Sequence, residues 1–203
     1  STQSRSSAAS DVYKRQMSPD MKQRHGHLVE SLSDLQDDIR LLVIGRVGED
    51  STRSAQSLGS QIEAIVRTIH RPTLITTSHF RKPETVMVAF DGSATGHKTL
   101  QMLASSPLCE GLPIHIVMVG TDSEDNQNAL EKARTTLASS GSLVHSEIRP
   151  GEVESTLHAY QAEHGIDLLV MGAYGHSRIR QFLIGSTTTT MLRTSTVPLL
   201  LLR

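Results

Sequence analysis

From Glu84 to the C-terminus, short apolar runs alternate with segments of helical periodicity, and this alternation admits very few folds. The runs are Thr85–Phe90, Pro113–Val119, Leu143–Arg149, Asp167–Met171 and Val197–Leu202. The first four stop at residues that break a strand: Asp91-Gly92-Ser93, Gly120, Pro150-Gly151 and Gly172. Between them, apolar positions recur at helical spacing, with Leu100 and Leu103, then Ala129, Leu130, Ala133 and Leu137, then Val153, Leu157 and Tyr160. The spacing predicts helices over 94–105, 124–139, 152–164 and 187–193. Strands and helices in strict alternation predict an α/β fold, a doubly wound five-stranded parallel sheet with helices on both faces, because right-handed crossovers leave few other topologies.

The stretch Met171-Gly172-Ala173-Tyr174-Gly175, followed after nine residues by Gly185-Ser186-Thr187, stands between the fourth run and its helix. Glycines at a strand end let backbone N–H groups approach an anion, since no Cβ intervenes. A Gly-Ser-Thr at a helix start adds free N–H groups, hydroxyls and the positive end of the dipole. The stretch therefore reads as an anion site suited to nucleotide phosphates. A tight turn with Ser186 as a simple helix cap is the alternative.

The residues before Glu84 repeat part of this pattern. Residues 39–48 mirror 167–175, and Gly59-Ser60 mirrors Gly185-Ser186. Thirteen positions after each of those glycines stands a proline, Pro72 or Pro198, opening an apolar run. Leu28, Leu32 and Leu35 supply a preceding helix. The repeat contains only the last helix–strand–loop–helix–strand part, and its counterparts to the first three strands are missing. It has also drifted: ten residues separate Gly48 from Gly59, and Glu49 and Asp50 follow Gly48 directly. Two carboxylates there repel phosphate, so no nucleotide site is expected in this copy. Its strand 39–44 lacks the neighbour that a first strand would give, so a cover from the C-terminal part or from a second chain is expected.

Composition narrows the function classes. A length of 203 residues suits one domain with a good core, or one domain plus a fragment. The formal charge of −1 lacks the basic surface on which general nucleic-acid binding relies. No run of apolar residues is long enough to span a membrane, and the single Cys109 excludes an intrachain disulfide framework or a CxxC site, which fits a cytoplasmic home. Trp is absent and aromatic residues are few, so the core must be aliphatic. The ten histidines are scattered, without His-x3-His spacing, so structural or surface roles are expected rather than a metal site. No lysine follows the glycines as in a Walker loop, and neither a Gly-x-Ser-x-Gly elbow nor a paired-carboxylate pattern occurs. An efficient kinase or hydrolase is not indicated.

Taken together and in this order, the motifs resemble the universal stress protein family, whose fold is of the adenine nucleotide alpha hydrolase-like type. Gly172, Gly175, Gly185 and Ser186 match its glycine pattern, Asp91 in Val88-Ala89-Phe90-Asp91-Gly92-Ser93 matches its strand-end aspartate, and Val197-Pro198 opens its last strand. Residues 1–16, rich in Ser, Ala and charge, read as a disordered leader with Met17 as the natural start. The resemblance implies a tandem chain whose first domain is truncated and degenerate: a partial domain over 17–80, a linker over 81–84 and a complete domain over 85–203. It implies that Gly172, Gly175, Gly185, Ser186 and Thr187 surround the triphosphate and ribose of ATP, with Thr188 adding a hydroxyl. Asp91 would line the pocket near the base, with backbone contacts from Ala89 and Phe90. Val119 would touch adenine, or simply pack in the core. Met171 would be a flexible wall for the base, or merely core. His176, Arg178 and Arg180 are candidates for neutralising phosphate, although loop charges are more often only solvated. Mg2+ would arrive with the nucleotide. The implied function is an ATP-binding regulatory stress protein with at most slow hydrolysis, and the alternative is a dimerisation or interaction module that binds no nucleotide. ADP and AMP remain open beside ATP. The last strands of the two copies are the family's usual pairing edges, so they are expected to join the copies within the chain or two chains in a homodimer.

Overall fold

A computed structural model of the chain describes residues 20–21, 23–46, 55–79, 81–173 and 186–203. Its elements run α1 (Leu28–Leu35), β1 (Leu42–Gly45), α2 (Ala55–Thr68), β2 (Thr73–Thr76), β3 (Val86–Ala89), α3 (Ala94–Ala104), β4 (Ile114–Val119), α4 (Glu124–Ala138), β5 (Val144–Arg149), α5 (Val153–His164), β6 (Leu168–Gly172), α6 (Ser186–Thr194) and β7 (Leu199–Leu202), with single 3-10 turns at Gln36–Asp38 and Pro107–Cys109. Local sequence explains several helix ends. The Ser93 hydroxyl accepts from Gly96 N at 3.0 Å to start α3. Ser123 does the same for α4 through Asn126 N at 3.3 Å, with Glu124 and Asp125 complementing the dipole in the first turn. Glu152 caps α5 through Ser155 N at 3.1 Å, and Gly165, at φ +61°, ends that helix in the left-handed conformation.

The strands form one sheet in the order β1-β2-β7-β6-β3-β4-β5. The run β7-β6-β3-β4-β5 is parallel throughout and is the doubly wound set expected from the alternation. The N-terminal half-domain stands beside this five-stranded parallel set. The N-terminal strands extend the same sheet to seven, because β2 pairs antiparallel with β7, placing Thr73 opposite Leu201 and Ile75 opposite Leu199. This joins the two last strands within one chain. Of the two covers expected for β1, the C-terminal part or a second chain, the C-terminal part supplies no strand among the described residues. Among the described residues no strand lies outside β1, and Val43 is 55% exposed.

Each face of the sheet carries its own apolar layer. On one face, Leu100 and Leu103 of α3 and Leu130, Ala133 and Leu137 of α4 pack on Val86, Val88, Ile114, Ile116 and Val170. On the other, Ile62 and Val66 of α2, Leu157 and Tyr160 of α5, and Met191 and Leu192 of α6 pack on Ile75, Met87, Leu169 and Leu199. The core is almost wholly aliphatic, as the scarcity of aromatic residues requires. Arg46, just past β1, donates to the Ser195 carbonyl beyond α6, and so fastens the N-terminal strands to the C-terminal ones.

Two local arrangements fix β3 against β6. The Asp167 carboxylate, at the foot of β6, accepts from Glu84 N at 3.0 Å and from Thr85 N at 2.9 Å, so one side chain starts both strands. At the other end, Gly172 meets α3: a methyl group there would sit 3.2 Å from both Thr95 Cγ2 and Thr99 Oγ1. Thr99 is 2% exposed, and its hydroxyl has no hydrogen-bond partner among the described residues.

Hydrogen bonds to a charged acceptor are worth about 1.5–3 kcal/mol. Asp167→Ala is therefore expected to lower the unfolding free energy by about that amount, measured by urea denaturation at neutral pH. Thr99→Val replaces an unsatisfied hydroxyl with an isosteric methyl. It is expected to leave the melting temperature of the ligand-free protein unchanged or raised, and a loss above about 1 kcal/mol would show that the hydroxyl is bonded after all.

Candidate functional site

In a doubly wound sheet, the crevice opens where consecutive crossovers leave in opposite directions, at the carboxyl ends of the strands. Here β3 leads outward to β4 and β5, whereas β6 and β7 lie on its other side, so the switch point falls between β3 and β6. The register sets Ala89 beside Met171 on one side and Val117 on the other. The next residues, Phe90-Asp91 after β3 and Gly172-Ala173 at the end of β6, therefore emerge side by side. Val119 and Gly120 end β4 next to them.

Asp91 is exposed at the mouth of this crevice. Its Oδ1 accepts from Ser93 N at 3.0 Å and Ser93 Oγ at 2.6 Å, which holds the turn through Gly92 at φ +73° and aims the carboxylate. Helix α3 starts so close that a methyl at Gly96 would lie 2.8 Å from Asp91 Oδ1 and 3.0 Å from the Phe90 ring. In the sequence, Asp91-Gly92-Ser93 also reads as a turn and helix cap, which Ser93 supplies, whereas nothing there marks Gly96. Its part follows from the way the helix folds back over the strand end.

The other expected residues divide by exposure. Phe90 is 3% exposed, its ring lies in the core with an edge contact to His97 at 5.1 Å, and its N–H donates to the Val117 carbonyl at 2.9 Å. The sheet thus uses the Phe90 N–H. Ala89 and Val119 are half-buried beside the second apolar layer, and Met171, 6% exposed, belongs to that layer. Met171 is therefore chiefly a core residue with its strand end at the crevice. The Ala173 N–H is likewise taken, donating to the Leu202 carbonyl at 2.8 Å. Ser186 is exposed at the first position of α6, Thr187 is half-buried, and Thr188 is 4% exposed. Since α6 follows β6, its N-terminus and the first-turn N–H groups lie at the same end of the sheet as Asp91. Gly175, His176, Arg178, Arg180 and Gly185 lie outside the described residues, as do Gly48, Glu49 and Asp50.

The N-terminal copy is built differently at its corresponding point. Helix α2 begins at Ala55, so Gly59 and Ser60 are its fifth and sixth residues rather than its start. The mirrored Gly-Ser thus supplies no free N–H groups in this copy, because those positions already pair within the helix. No strand beside β1 brings an aspartate to the end of that strand among the described residues. Among the described residues, no helix is long and apolar enough to cross a membrane.

Comparison with known proteins agrees with this geometry. The family model described as "Universal stress protein family" matches residues 83–203. The universal stress protein Slr1230 of Synechocystis sp. (strain ATCC 27184 / PCC 6803 / Kazusa) is 41% identical over 180 residues, which cover 88% of this chain and 63% of that protein. The chain thus spans less than two thirds of that relative's length. A universal stress protein from Archaeoglobus fulgidus DSM 4304 has a similar structure, with a TM-score of 0.73 at 20% identity over 97% of this chain and 73% of that one. A universal stress protein solved in complex with cAMP matches 61% of this chain and 98% of its own length, with a TM-score of 0.51 at 21% identity. Sheet order, strand-end aspartate, glycine pattern and relatives agree: the chain belongs to the universal stress protein family.

Proposed function

We propose that the chain is a nucleotide-dependent regulatory protein of the stress response, binding an adenine nucleotide, foremost ATP, at the β3–β6 crevice. The observation that carries this reading is that the aimed Asp91 carboxylate and the Gly172 strand end flank the β3–β6 switch point, with α6, which starts at Ser186 and Thr187, following β6 in the chain. The helix terminus and the glycine pattern suit phosphates. Asp91, at the end of β3, would face the base or the ribose hydroxyls. Ala89, Val119 and Met171 would form the apolar floor. Gly175, His176 and Gly185 would complete the phosphate side, with Thr188 behind it. A related protein of the family has been solved with cAMP, which supports an adenine nucleotide as the ligand class.

Mg2+ would enter as the nucleotide's own counter-ion. Binding, with at most slow hydrolysis, is the proposed activity, and it would be exercised in the cytoplasm. The repeat reading, with residues 17–80 as a degenerate partial domain and 85–203 as the complete one, is supported by the matched order α1-β1-α2-β2 and α5-β6-α6-β7. Pairing of β2 with β7 occupies the edge through which a homodimer was expected, and so favours intrachain association of the copies.

A second reading has one observation in its favour. Gly172 is required by the packing of Thr95 and Thr99 whether or not a ligand binds, so this glycine is also what a pure interaction module would keep.

Thermal unfolding with and without Mg-ATP separates the two. Ligand at a hundredfold over its Kd stabilises by about 2.7 kcal/mol. A clear rise in melting temperature at millimolar Mg-ATP is expected for the wild type, with the ligand-induced shift reduced in Asp91→Ala and abolished in Gly175→Val. The shift is compared rather than the absolute stability, because Asp91 also holds its own turn. Equal melting curves with and without nucleotide would favour the interaction module.

A further inference from the structure

Three of the chain's ten histidines, scattered in sequence, meet near the end of the sheet opposite the crevice. His115 and His145 are the second residues of β4 and β5 and are register partners, and His164 is the last residue of α5. Ring centroids lie 5.3 Å apart for His115 and His145, 5.2 Å for His115 and His164, and 6.4 Å for His145 and His164. The buried Tyr160, one helical turn before His164, stacks on it at 4.1 Å and places its hydroxyl 2.9 Å from His115 Nδ1. The charged groups facing the cluster are Glu147 and Arg149 of β5 and Glu163 of α5. Arg149 pairs with both carboxylates and lies 5.1 Å over the Tyr160 ring. No such group of side chains among the described residues is arranged to hold a metal ion.

The three imidazoles are not equivalent. His145 Nε2 lies 3.7 Å from Glu147 and His164 Nε2 lies 3.5 Å from Glu163, so each has a carboxylate ready for its protonated form. Among the described residues, His115 has no carboxylate at ion-pair distance, and its polar partner is the Tyr160 hydroxyl. We propose that the cluster is a proton-sensitive latch, in which His115 holds α5 on β4 and β5 while neutral and releases that contact when protonated. With His115 neutral and protonated on Nε2, the tyrosine hydroxyl donates to Nδ1. In the imidazolium that nitrogen becomes a donor, so the hydroxyl must turn round and its own hydrogen loses its acceptor. The added charge also enters a site flanked by the His145 and His164 imidazoles, at ring-centroid distances of 5.3 Å and 5.2 Å.

The direction of the effect follows. Desolvation first, then the neighbouring His145 and His164, hold His115 below its ordinary value of 6.5, against an upward pull from Glu147. Burial pushes the Tyr160 hydroxyl up to about 12, so it remains a phenol throughout. The folded state thus refuses a proton that the unfolded chain accepts. The stability contributed is present above the unfolded value and is lost as pH falls through it towards the folded one. Release would also reach α6, because the same helix α5 bonds to its end through His158 with Thr194 and Gln161 with Thr196, each at 2.9 Å.

The test is a histidine NMR titration of the wild-type protein, combined with urea unfolding between pH 7.5 and 5 on wild type and His115→Asn. We expect His115 to titrate below the free imidazole value. We also expect the wild-type unfolding constant to rise by up to about tenfold per pH unit more steeply than that of His115→Asn over this window. His145→Gln combined with His164→Gln is expected to move the His115 titration upward. A His115 titration at or above the free imidazole value, or the same pH slope in His115→Asn, overturns the proposal. If His115→Asn does not fold, the wild-type titration decides alone.

Discussion

The parallel pairing of β3 with β6 is the contact on which the other features rest. These strands are far apart in sequence, and neither crossover helix joins them directly. Asp167 fixes their start by accepting from the first backbone N–H groups of β3, and the register then runs without offset to Ala89 and Met171. Because α3 leaves β3 on one face and α6 leaves β6 on the other, the pair also divides the apolar residues into two layers. The crevice is what remains where the two connections diverge. Its position is set by topology rather than by any single side chain.

Glycine at this crevice answers to two demands. Read from the chain alone, Gly172 belongs to a ligand loop. Within the fold, its hydrogen faces Thr95 and Thr99, and Gly96 likewise makes room for Asp91 and the Phe90 ring. Close packing of α3 over both strand ends brings the Asp91 turn to the mouth of the crevice, so the packing use and the proposed binding use are compatible. They differ in what they require of the neighbours. Packing requires only Thr95 and Thr99, whereas phosphate binding also requires the helix start at Ser186.

The N-terminal strands show how one edge can be reused. Strand β7 ends a parallel sheet, and an open apolar edge of this kind invites another strand. Antiparallel pairing with β2 closes it and carries Ile75, Ile62 and Val66 onto the same apolar layer as Leu199 and Met191. The outer edge at β1 is left without a strand among the described residues. The chain spans 63% of the length of its relative Slr1230.

The alternation of runs with helical segments determined the parallel set β7-β6-β3-β4-β5 and most element boundaries to within a residue or two, because side-chain periodicity and breakers such as Gly120 and Pro150-Gly151 are local properties. Asp91 and the α6 start were legible for the same reason: turns and caps are written in adjacent residues. Several features were not legible. The start of α2 at Ala55, four residues before the mirrored Gly59, could not be read from spacing, since a glycine within a helix and one before it look alike in a sequence. The use of the Phe90 N–H by Val117, the demand that α3 places on Gly172, and the meeting of His115, His145 and His164 all depend on the register between strands that are 28 or more residues apart. Backbone pairing across such distances is decided by the burial of whole faces. Only the assembled sheet therefore shows which polar groups remain for a ligand or a proton.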